Sequence, residues 1–184
     1  MPFIKTDFPD LLIFEPTVFE DDRGYFYESY NANTCIADGV DIKFVQDNQA
    51  KSSYGVIRGL HYQLAPHAQT KFIRVLHGSI LDVVVDLRKD SPMFGKTFSI
   101  ELTGLNKKQL LVPQGFAHGY SVLSPTADVF YKCDAFYNKE AEGGLLYNDG
   151  SLNIDWQIEK GEEIISAKDL AQPTFENCKN NFQF

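Results

Sequence analysis

At 184 residues the chain is long enough to bury a core of its own and short enough to be read as one domain. A formal charge of −8, with 25 acidic against 17 basic side chains, excludes a general nucleic-acid-binding surface and still allows a local cationic pocket. Cys35, Cys133 and Cys178 are an odd set without C-x-x-C spacing, which indicates neither a disulfide framework nor a zinc knuckle.

No apolar run approaches the ~18 residues of a membrane helix, and Met1-Pro2 opens no signal-peptide pattern, so the chain reads as reduced and cytoplasmic. In chain order, Leu11 to Phe19 alternates like a strand until Pro16 interrupts it, which marks an edge or a break. Glu20 to Gly24 is a turn by composition, and Tyr25 to Tyr30 is strand-like. Asn31 to Gly39 predicts one or two helical turns, with Asn33 or Thr34 as the cap and Gly39 as the stop. From Ile42 onward short strands dominate: 42–47, 55–63, 70–76, 79–87, 96–102, 109–113, 117–123 and 127–136. Turn signals such as Gly78-Ser79, Asp90-Ser91-Pro92, Gly104 and Ser124-Pro125 separate them, and this spacing predicts an antiparallel sandwich or barrel. The segment 138–158 is polar and glycine-rich, and 160–171 carries mixed helix and loop signals ahead of Pro173. There is no repeat, low-complexity tract or linker.

The most informative stretch runs from Gly55 to Gly78. His61 and Gln63 are two apart and share a strand face, as do Lys71, Ile73 and Val75. A lysine on an inward apolar face is costly without a partner. An inward His, Gln and Lys together predict a polar pocket in the mouth of a β-barrel.

The same stretch resembles the first cupin box, with Gly55, His61, Gln63, Lys71 and Gly78 at its spacing, and Pro113-Gln114-Gly115-Phe116-Ala117-His118 resembles the second. Metal-binding cupins place His, His, Glu and His where this chain has His61, Gln63, Lys71 and His118. The resemblance implies a cupin-type antiparallel jelly-roll barrel, mainly β, with a few short helices at the periphery and C-terminus. A lysine ammonium in place of a ligand argues against a bound metal.

A narrower resemblance covers nearly the whole chain. R-G-L-H-Y-Q (58–63), Q-T-K-F-I-R-V (69–75), P-Q-G-F-A-H-G-Y (113–120), Y-K-C-D (131–134) and S-x-K-D (166–169) are similar to the dTDP-4-dehydrorhamnose 3,5-epimerase family. So are D-x-R-G-Y-F-Y-E (21–28), Q-D-N (46–48) and E-G-G-L-L-Y-N-D (142–149), while Gly150-Ser151-Leu152-Asn153 departs from the proline-containing turn frequent in relatives. The substrate this implies is a nucleotide-linked 4-keto-6-deoxy sugar, whose ketone acidifies C3 and C5, so that no cofactor is needed. The resemblance implies His61 as base, Asp169 as its orienting partner, Lys71 at the enolate oxygen and Tyr131 as acid, with a nearby cation lowering the phenol. It implies substrate contacts at Arg23, Glu28, Gln46, Asn48, Arg58, Gln63, His118, Glu142 and Lys168, and a homodimer that exchanges an N-terminal arm of about residues 1–30.

Taken singly, each residue has an ordinary structural reading: a hydrogen-bonded barrel histidine, a snorkelling lysine, a core tyrosine, a capping aspartate. His67 and His77 are left structural, and the aromatic run from Tyr25 is core or interface. Co-occurrence in one frame favours the functional reading. Three rivals are a mono-epimerase acting on C3 or C5 alone, a metal-dependent cupin enzyme, and a non-catalytic sugar-nucleotide sensor.

Overall fold

The computed structural model describes residues 2–184. Strands β1 (Phe3–Lys5), β2 (Leu12–Phe14), β3 (Phe19–Asp21) and β4 (Gly24–Phe26) precede helix α1 (Ala32–Ala37). Then follow β5 (Gln46–Ser53), β6 (Val56–Gln63), β7 (Lys71–His77), β8 (Ser79–Asp86) and β9 (Thr97–Thr103). The chain continues with β10 (Gln109–Val112), β11 (Phe116–Val122), β12 (Thr126–Cys133), β13 (Glu142–Gly144), β14 (Ile164–Ile165) and α2 (Ala167–Leu170). One sheet has the order β1-β2-β10-β7-β12-β5 and the other β13-β6-β11-β8-β9, with β14 added parallel to β6. This is the expected jelly roll.

Period-two alternation explains how the sheets pack. On β7, Ile73 and Val75 join the interior cluster with Leu110, Val112 and Val129, while Phe72 points outward to Phe14, Cys35 and Val40 beneath α1. Strand β8 is apolar on both sides: Ile80 and Val84 face the interior, and Leu81, Val83 and Val85 pack under Trp156 and Phe182. Each such side chain contributes about 1.5–3 kcal/mol on burial. Covering by the C-terminal segment is therefore what lets β8 be so apolar.

The structure corrects several boundaries. The side chain of Asn31, rather than Asn33 or Thr34, caps α1 by accepting from the amides of Asn33 and Thr34. The strand expected over 42–47 begins at Gln46 and runs to Ser53, and the strand expected over 25–30 is confined to Gly24–Phe26. Pro16 does divide the 11–19 stretch, into β2 and β3. The β2 half pairs with β10 of its own chain, with Leu11 and Phe14 buried in its own core. What stands apart is the β3–β4 hairpin, a two-stranded sheet whose Phe19, Tyr25 and Phe26 are all exposed. No helix among the described residues is long and apolar enough to cross a membrane.

Candidate active site

Arg58 and His61 are three residues apart, which on a regular strand would send them to opposite faces. Gly59, at φ +120°, breaks that alternation, and the pairing of β6 with β11 shifts register between His118 and Tyr120. A Cβ at Gly59 would lie 2.6 Å from Gly119 Cα and 2.8 Å from the His118 carbonyl oxygen, so only glycine lets the strands approach this closely. As a result both side chains line one cavity of about 550 Å³, with Lys71, His118, Tyr120 and Tyr131 around them. A second space of about 340 Å³ shares His61, Lys71 and Tyr131 and adds Gln46, Asn48, Gln63 and Glu142.

His61 Nε2 donates to Asp169 Oδ1 at 2.6 Å, and the carboxylate is almost fully buried while the imidazole stays about one-third exposed. The other ring nitrogen has no hydrogen-bond partner among the described residues. Asp169 is held from behind: its amide donates to Oγ of Ser166, the N-cap of α2 (3.1 Å), and the Gly59 amide donates to its Oδ2 (3.5 Å). Burial pushes the Asp169 carboxyl up, but the His61 bond, the His61 charge and these donors hold it below the usual carboxylate range.

Strand register sets the opposite wall. Cys133 lies across from Lys71 and Gln46, and Tyr131 lies across from Ile73 and Asn48, so Lys71 and Tyr131 sit diagonally on one inward face. Lys71 Nζ is 5.9 Å from the Tyr131 ring centroid. Lys71 forms no ion pair among the described residues, and burial draws its amine below the usual lysine range against the pull of Cys133, Asp82 and Glu142. Burial pushes the Tyr131 phenol up to about 12, with Cys133 and Tyr120 adding to it; only Arg58 opposes. The expectation that a cation lowers this phenol is therefore overturned, because desolvation outweighs one guanidinium.

The remaining predicted residues divide. His118 donates through Nε2 to the carboxylate of Asp82 (2.9 Å), a fully buried pair on the cavity wall. Gln63 lines the smaller space, yet its amide is engaged with backbone: it donates to the carbonyls of His67 and Phe136 and accepts from the Asn138 amide. Gln46 donates to Asn48 (3.1 Å), and Arg58 Nε donates to Ser52 Oγ (3.0 Å). Glu142 and Lys168 pair with each other at 2.5 Å. Burial pushes the Glu142 carboxyl up, and Lys168, Tyr137 and His61 together bring it below its ordinary value. Arg23 and Glu28 are not brought to this cavity: Arg23 pairs with Asp21 on the exposed hairpin, and Glu28 accepts from Asn31 Nδ2. His67 and His77 are exposed and outside it.

Four residues had no role assigned from sequence. Asp82 is a carboxylate between the inward Ile80 and Val84, and that alternation was a readable sign of a buried charge needing a partner. Ser166 stands three residues before Asp169, a capping spacing. Ser52 and Tyr120 had no signal, and the Tyr120 hydroxyl is buried without a hydrogen-bond partner.

Comparison with known proteins gives one consistent family. A family profile described as dTDP-4-dehydrorhamnose 3,5-epimerase matches residues 5–177. The chain is 50% identical to the dTDP-4-dehydrorhamnose 3,5-epimerase of Shigella flexneri over 171 residues, 92% of this chain and 93% of the relative. It is 53% identical to the solved dTDP-4-dehydrorhamnose 3,5-epimerase of Elizabethkingia anophelis, with a TM-score of 0.91 over 97% of this chain and 98% of that one. The dTDP-6-deoxy-D-glucose-3,5-epimerase of Legionella pneumophila, solved in complex with dTDP-4-keto-L-rhamnose, is 43% identical with a TM-score of 0.91, covering 95% of this chain and 93% of that one.

Proposed function

The chain belongs to the dTDP-4-dehydrorhamnose 3,5-epimerase family of isomerases, and from that premise we propose that it inverts C3 and C5 of dTDP-4-dehydro-6-deoxy-D-glucose to give dTDP-4-dehydro-L-rhamnose. The free ring nitrogen of His61 takes the proton from the acidified carbon, and the bond electrons move onto the C4 oxygen as an enolate. Asp169 holds the ring and balances the imidazolium that forms. Lys71 meets the new oxyanion, supplying a positive donor where charge develops. Because Lys71 forms no ion pair among the described residues, the enolate supplies the close counter-charge its amine lacks, so the pair is strongest after the proton leaves. Tyr131, kept protonated by burial, returns a proton to the opposite face of the carbon, and its phenolate regains one from water as His61 releases its own. The cycle repeats at the second carbon, and no cofactor enters the balance.

Arg58, Gln46, Asn48, His118, Glu142 and Lys168 are read as holding the diphosphate and sugar, while Gln63, expected from sequence to join them, spends its amide on the backbone and shapes the wall beside them. Residues 1–184 are read as one jelly-roll domain of a cytoplasmic homodimer. Since β1 and β2 dock on their own sheet, the exchanged part of the arm is the β3–β4 hairpin, which would carry Arg23 to the nucleotide base in the partner's cavity, with Glu28 following it.

The observation that carries this reading is the convergence of the His61–Asp169 pair, Lys71 and Tyr131 on one cavity. Turnover of the keto sugar in heavy water tests it by proton NMR. Deuterium at both C3 and C5 is the expected result, and deuterium at one carbon would replace the reading with a mono-epimerase. Binding without exchange would replace it with a sensor.

A further inference from the structure

Two of the arginines are tied to carboxylates, Arg23 to Asp21 and Arg88 to Asp86, as are Lys108 to Glu15, Lys132 to Asp47 and Lys168 to Glu142. Arg58 is different. Its Nε donates to Ser52 Oγ at 3.0 Å, and its two η nitrogens make no hydrogen bond or ion pair among the described residues. Ser52 is only 7% exposed and ends the inward row of β5, Gln46, Asn48, Ala50 and Ser52, whereas Arg58 belongs to the opposite sheet. The bond therefore ties the two sheets together at the edge of the cavity. Arg58 itself is exposed, and a long arginine left free there would sample many rotamers.

We infer that Ser52 is a positioning residue: by fixing Nε it aims the two η nitrogens of Arg58 into the cavity at the diphosphate of the substrate, and so sets nucleotide affinity rather than the rate of proton transfer. Guanidinium and phosphate match in a two-pronged geometry only when the fork is held in one orientation. A neutral hydroxyl suits that task better than a carboxylate, because it orients the cation without neutralising it in a chain of charge −8. The inference rests on the reading of Arg58 as a diphosphate ligand given above.

The test is calorimetric titration with dTDP alongside steady-state kinetics on the keto sugar. Ser52→Ala is expected to raise both the Kd for dTDP and the KM about fivefold to tenfold, the range of one ordinary net hydrogen bond, with kcat within about twofold of wild type. Ser52→Thr, which keeps the hydroxyl, should recover most of the loss. In an Arg58→Ala background, Ser52→Ala should add almost nothing. An unchanged dTDP affinity in Ser52→Ala, or an undiminished penalty on top of Arg58→Ala, overturns the positioning role while leaving the epimerase reading intact. Wild-type protein that fails to bind dTDP overturns both.

Discussion

Burial acts on the two buried acidic groups of the site, Asp169 and Tyr131, in different ways. Asp169 is nearly inaccessible yet stays below the usual carboxylate range because His61 and the Gly59 amide donate to its carboxylate and Ser166 anchors its amide, whereas Tyr131 has no such partner and is driven up to about 12. A phenol that high stays protonated at neutral pH and so cannot serve as the base, which fits the second half of the exchange rather than the first. Tyr131→Phe should accordingly slow product formation by at least about 10²-fold, the usual scale of general-acid loss, while loss of the substrate's α-proton to heavy water falls much less. Equal losses in both assays would place Tyr131 in the deprotonation step instead. His61, Gln63 and Lys71 were legible as inward side chains because their spacing within each strand is even. Asp82 was visible in principle, and Ser52 was not, since its bond to Arg58 crosses from one sheet to the other.

Among the elements, the segment that carries Ser166, Lys168 and Asp169 is mostly exposed, with Asp169 the one buried residue of its helix. It is moored by β14 on β6 and by the Ile164 amide donating to the Gly55 carbonyl at 2.8 Å. Gly55 sits at φ +81°, and a Cβ there would fall 2.3 Å from the Glu162 carbonyl oxygen. Gly55→Ala should displace this segment and with it Asp169, lowering kcat about tenfold or more while the fold, read by far-UV circular dichroism, persists. Activity at the wild-type level would mean that the dyad does not depend on this mooring. The misplaced strand at 42–47 has a related cause. The inward row of β5 is Gln46, Asn48, Ala50 and Ser52, so the strand faces a polar cavity and shows none of the hydrophobic alternation that marks a core strand. Arg58 and His61 mislead similarly, since strict alternation puts them on opposite faces and only the Gly59 irregularity unites them.

For the molecule as a whole, the exposed aromatics of the β3–β4 hairpin and the placement of Arg23 outside its own cavity belong to one expectation: two copies, each completing the other's site. Light scattering should give a dimer mass. Co-expression of a His61→Ala chain with an Arg23→Ala chain should restore about one quarter of wild-type activity, because half the dimers are mixed and each of those has one intact site. A fully active monomer would refute the shared site. By itself the sequence determined the jelly-roll class, the family, and the residue types available for a proton-transfer site, because strand periodicity and motif spacing are local properties of the chain. Tertiary structure alone decided which polar groups meet: that Asp169 returns over 108 residues to His61, that Asp82 is bound to His118, and that Gln63 serves the backbone. Those pairings depend on register between strands and on a glycine-permitted break in alternation, and neither is encoded at any single position.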